Sequence, residues 1–159
     1  MLQCGHASID ASTVTAFGAE VESLITKHSI VRLAEEMSRD GLAKHNVTST
    51  ISERIAQTAG IEHHYVDLEQ AERTSLGMHD EPLFTILHLY EPTDSGQAFR
   101  EAMSVLEAEV RERIWIYRVL GRKTTPVLFI CGASHVVPLA RIWSLLGMEC
   151  EIAYYDYAA

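Results

Sequence analysis

The chain has no apolar run approaching the roughly 20 residues that cross a bilayer, so no membrane-spanning helix is expected from it. It is short of cations. Thirteen Lys and Arg face 22 Asp and Glu, a formal net charge of −9. Nucleic acid and anionic membrane surfaces are therefore not expected partners, because both are held by clustered cations that displace counterions. Only three cysteines occur, Cys4, Cys131 and Cys150. Odd in number and far apart, they fit a reducing compartment better than a disulfide scaffold, and the cytoplasm is the expected location. The opening Met1-Leu2-Gln3-Cys4-Gly5-His6 has neither a basic start nor an apolar stretch, so it does not read as a signal peptide.

Several catalytic signatures are also missing. There is no Cys-x-x-Cys, no phosphate-cradling Gly-x-x-x-x-Gly-Lys, no dinucleotide fingerprint and no Gly-x-Ser-x-Gly elbow. Ser134 stands next to His135, and adjacent side chains diverge, so the two do not form a nucleophile–base dyad. Cys131 sits inside an apolar run and reads as core packing.

What remains is a chain of 159 residues, 47% hydrophobic, without internal repeats and of a length that suits one domain. Short apolar runs alternate with longer segments of helical spacing. The pattern predicts a single α/β domain over 1–159, three-layered, with a mostly parallel sheet of about four or five strands. Strands are expected at 30–34, 63–66, 126–131 and 149–155, with Leu2-Gln3-Cys4 as the end of a first one. The run 126–131 is apolar on both faces and reads as the central strand.

Helices are expected at 12–28, 50–59, 69–76, 97–120 and 136–146. Thr50 and Glu53 have capping-box spacing, and Gly60 suits a left-handed stop. The long helix carries Phe99, Met103, Leu106, Val110, Ile114 and Tyr117 as its apolar stripe. Between 78 and 95 the periodicity dissolves, and this segment is a candidate lid over the site.

In open parallel sheets, ligands bind beyond the carboxyl ends of the strands. Those ends present Gly5-His6, Glu35-Glu36, Asp67, Gly132-Ala133-Ser134-His135 and Asp156. Gly132 allows a tight turn from strand to helix and leaves amides facing a bound anion or oxyanion. His135 then falls at a helix start, where the dipole favours neutral imidazole, the form needed by a general base or a metal ligand. Glu35 and Glu36 point to opposite sides of their strand, so one of them is expected to face the crevice. Arg73 is a candidate clamp for a carboxylate or phosphate, with Asp67 beside it. One member of Arg111, Glu112 and Arg113, beside Trp115, is a candidate to point inward from the long helix.

The run Val127-Leu128-Phe129-Ile130-Cys131-Gly132-Ala133-Ser134-His135, followed by a helix, Gly147 and a closing strand, resembles the carboxyl-terminal motif of the Tiki/TraB/erythromycin-esterase-like superfamily. Ala34-Glu35-Glu36-Met37-Ser38 resembles the acidic strand end of the same group. Together with 67–77 and 126–135, these residues are similar to a group of short uncharacterised bacterial proteins. The resemblance implies a hydrolase of small-molecule or peptide substrates. It places catalytic roles on His135 and on Glu35 or Glu36, with or without a divalent metal ion. A metal would take His6, His135 and Glu36. The superfamily has Gly-x-x-His after its first strand, where this chain has Gly5-His6-Ala7-Ser8.

Two other functions fit the same residues. One is a noncatalytic module in which the Gly132 amides and Arg73 hold a small anionic ligand such as a nucleotide. The other is a homo-oligomer, a homodimer for example, in which Trp115 and Tyr117 pack against another copy.

Overall fold

The computed structural model describes residues 11–78, 94–122 and 125–154. The central element is a short strand, β1 (Arg32–Glu35), paired in parallel on one side with β2 (Glu62–Tyr65) and on the other with β3 (Val127–Ile130). Arg32 stands opposite Glu62 and Val127, and Glu35 opposite Tyr65 and Ile130, so the three carboxyl ends finish level. The helices are α1 (Ala11–Lys27), α2 (Arg39–Lys44), α3 (Ile51–Ala59), α4 (Gln70–Ser75), α5 (Asp94–Leu120) and α6 (Ala133–Leu145). The α/β class is as expected.

Alternation along the strands divides the core in two. Leu33 is buried with Phe17, Val21, Ile55 and Ala56, and Leu128 and Ile130 pack against that group. Ala34 is buried with Val66, Trp115, Ile116, Val119 and Leu139, and Val127 and Phe129 pack there. The helix ends follow their local chemistry. Thr50 accepts the Glu53 amide at 3.1 Å, and Gly60 closes α3 at φ +68°, where a Cβ would be strained. Helix α2 has no counterpart among the expected helices. Ser38 starts it by accepting the Gly41 amide at 3.0 Å.

Three expectations need correction. Among the described strands the central one is β1, not 126–131. β3 is only half-buried, because it opens on an apolar cavity of about 750 Å³ lined in part by Leu128, Trp143 and Ile152. β1 is buried despite its arginine, because Arg32 donates from Nη2 to the carbonyls of Val119 at 3.0 Å and Arg122 at 3.1 Å, at the end of α5. Second, residues 149–154 form no strand; they line the same cavity as β3 without pairing with it. Leu2-Gln3-Cys4 and Asp156 lie outside the described residues, as do 79–93 of the expected lid. Met78 is buried under α4, and Asp94 and Ser95 belong to the first turn of α5.

The third correction concerns α5, whose 27 residues span about 40 Å. Much of its predicted apolar stripe faces outward, with Met103 and Ile114 half-buried. Phe99 is 57% exposed, Leu106 54% and Tyr117 77%, whereas Trp115 is fully buried with Ile116, Val119 and Glu112. Trp115 is therefore no surface for a second copy of the chain. The helix is turned by its charged residues, which meet partners at the strand ends. Trp115→Ala is expected to lower stability in urea unfolding by about 3–5 kcal/mol, and Tyr117→Ala by about 0.5 kcal/mol or less. Equal losses would contradict this orientation.

Candidate functional site

The doublet at the end of β1 splits as alternation requires. Glu35 turns toward α3, where its Oε2 accepts from Thr50 Oγ1 at 2.7 Å and from His63 Nε2 at 3.0 Å. The His63 ring lies edge-on to Tyr65, 4.6 Å between centroids, and Tyr65 donates its hydroxyl to Glu53 at 2.7 Å. Glu35 thus ties β1 to β2 and to the start of α3.

Glu36 turns the other way. Its Oε1 accepts from Arg111 Nη2 at 2.7 Å, and its Oε2 accepts the Gly132 amide at 2.7 Å. A Cβ on residue 132 would lie 3.3 Å from that same Oε2 and 3.5 Å from the His135 ring, so glycine permits the approach. His135 Nε2 lies 3.6 Å from Glu36 Oε1. Its other nitrogen, Nδ1, is 2.7 Å from Glu112 Oε1, and its ring stands edge-on to Trp115 at 4.9 Å. A carboxylate so close requires a donor, so in the neutral ring the proton sits on Nδ1 and Nε2 carries the lone pair.

Asp67, beyond β2, completes the cluster. It accepts from Arg111 Nε at 3.0 Å and Nη2 at 2.9 Å, a two-pronged contact, and from Trp115 Nε1 at 2.9 Å. Arg73 donates to the same carboxylate and to the Leu68 carbonyl. The Arg111 guanidinium stacks over the Trp115 ring at 4.7 Å. Burial alone would raise Asp67, but the hydrogen bonds and charge of Arg111, with Arg73 behind it, outweigh burial and hold it below the usual carboxylate range. For Arg111, burial acts downward, and Asp67 and Glu36 reverse it, so its guanidinium is held above its ordinary value. Burial, with Glu36 and Glu112 nearby, pushes the Cys131 thiol up to about 12, which suits a packing residue and not a thiolate nucleophile.

Most of the residues singled out by sequence meet at one cleft of about 1010 Å³. Glu36, Asp67, Arg73, Gly132, Ala133, Ser134 and His135 line it, and Glu35 does so from the α3 side. Glu36, not Glu35, is brought to His135. Arg111, Glu112 and Trp115 support the lining from α5. Arg111 and Glu112 both turn inward, where the sequence pointed to one residue of that charged group.

The Gly132 amide and the Arg73 guanidinium are engaged by Glu36 and Asp67. The amide is thus taken, and the charge of Arg73 is met by Asp67. Of the three expected metal ligands, His6 lies outside the described residues. Among the described residues no group of three His, Cys, Asp or Glu is arranged to hold a metal. Glu36 is held on both oxygens, and His135 is held on Nδ1 with Nε2 left open. No helix among the described residues is long and apolar enough to cross a membrane.

Comparison with protein-family models, with curated proteins and with solved structures finds no match to this chain.

A depressed folded-state pKa adds stability above the unfolded value and loses it as pH falls through the folded one. Replacing Asp67 by Asn leaves Arg111 without its main counter-charge, expected to cost about 3 kcal/mol near neutral pH. The stability gap between wild type and Asp67→Asn, read by urea unfolding, is expected to narrow as pH drops below about 4. A gap independent of pH would contradict the ion pair.

Proposed function

We propose that this protein is a small hydrolase of the Tiki/TraB-like type, in which His135 is the general base and water the nucleophile. One observation carries the reading. His135 is fixed at Nδ1 by Glu112, while Nε2 faces Glu36 Oε1 across 3.6 Å at the wall of the cleft. A water bonded to both would sit with one proton on Nε2 and the other on Glu36. As its oxygen attacks the carbonyl carbon of an ester or amide, the first proton passes to Nε2. Glu112 then stabilises the imidazolium, as a buried carboxylate does in hydrolytic triads. The amides of Ala133 and Ser134 open α6 without acceptors inside the helix and are placed to receive the developing oxyanion. Collapse of the tetrahedral intermediate breaks the bond to the leaving group, which takes the proton from Nε2.

Glu36 positions the water, and Arg111 with the Gly132 amide holds Glu36 still. No step here runs through a metal. The expected three-layer domain of four or five strands remains the reading for the whole chain. The noncatalytic anion module has less to stand on, since Glu36 takes the Gly132 amide and Asp67 meets the charge of Arg73.

Activity toward a panel of carboxylic esters and amides tests the proposal. His135→Ala is expected to lower kcat/KM by about 10²–10⁴. Glu112→Gln should act in the same direction, because a neutral amide does not stabilise the imidazolium as the carboxylate does. Wild-type rates retained in His135→Ala, with the fold intact by circular dichroism, would refute it.

A further inference from the structure

The charges around the cleft are unevenly committed. Every carboxylate that lines it has a partner inside the protein. Glu35 holds Thr50 and His63, Glu36 holds Arg111 and Gly132, and Asp67 holds Arg111, Arg73 and Trp115. Asp40 accepts the Gln70 amide at 2.7 Å. The cations divide differently. Arg73 is paired with Asp67, and nearby Arg39 is paired with Glu53 and stacked on Tyr65. Lys44, at the end of α2, and Arg54, on α3, also line the cleft, and neither has an ion-pair partner among the described residues. Both are exposed to solvent, so their charges are available at the opening.

In a chain of net charge −9 the field at large repels anions. A pair of uncommitted cations beside internally neutralised acids is a local exception to that field. The cleft they border also contains His135.

We propose that the substrate carries an anionic group, a carboxylate or a phosphate, which Lys44 and Arg54 bind while the scissile carbonyl reaches His135. This rests on the hydrolase reading above and assigns specificity to a wall of the cleft that the catalytic groups do not use. Arg54 supplies the planar fork and Lys44 the point charge, a combination that accepts either oxyanion. Discrimination of this kind falls with added salt, because both cations are solvated.

The test compares two esters of similar size, para-nitrophenyl butyrate and mono-para-nitrophenyl succinate, which differ in a terminal carboxylate. Wild type is expected to prefer the succinate ester in kcat/KM by about tenfold or more. Lys44→Glu with Arg54→Glu should abolish or invert that preference, and Lys44→Arg with Arg54→Lys should keep it. Independently of turnover, NMR titration with sodium succinate and with inorganic phosphate should move the Lys44 and Arg54 backbone amides of His135→Ala. The stronger of the two anions tells carboxylate from phosphate. Saturable shifts without hydrolysis of either ester by wild type would overturn the hydrolase reading and leave the anion site standing. No shift with either anion, or an ester preference unchanged by charge reversal, would overturn the anion site.

Discussion

Arg111 is the joint of the molecule. Its guanidinium leaves α5, stacks on Trp115 and grips two carboxylates at once, Glu36 at the end of β1 and Asp67 beyond β2. Removing one partner of such a largely desolvated set leaves a charge uncompensated, a loss of several kcal/mol. This fixes the rotation of the long helix about its axis. Once Arg111 points inward, Glu112 must stand beside it and Trp115 one turn on. The helix thereby delivers a carboxylate to His135 and an indole N–H to Asp67, and leaves Phe99, Leu106 and Tyr117 facing out.

The strand ends supply the other half. Because the three parallel strands finish in register, Glu36, Asp67 and Gly132 emerge level at one rim. Gly132 lets the Glu36 carboxylate sit against the backbone, and the turn it opens into α6 places His135 three residues later, against both Glu36 and Glu112. The imidazole is thus tethered on one nitrogen and faces the cleft with the other. His63, under Glu35, is also held at one nitrogen but does not line the cleft.

Much of this was legible in the sequence because it is written in local patterns. The β-branched run before Glu35-Glu36, the Thr50 and Gly60 punctuation of α3, and the glycine after Cys131 all act within a few residues of themselves. The divergence of Glu35 and Glu36 followed from strand geometry alone. What escaped depends on contacts remote in the chain. Arg32 is a charge inside an apolar run, and it is buried because carbonyls some ninety residues later accept its protons. The buried face of α5 was misread for the same reason. Periodicity found the more apolar stripe, but the burial of Glu112 is decided by His135, 23 residues further on. The dense charge of Arg111, Glu112 and Arg113 beside Trp115 was the available signal, since a tryptophan on a helix seldom faces water.

The account stands on the proton arrangement of one ring. Ring-nitrogen NMR of neutral His135 reads that arrangement directly. Wild type is expected to carry the proton on Nδ1 and to leave Nε2 bare. A wild-type ring with its proton on Nε2 would contradict His135 as the general base.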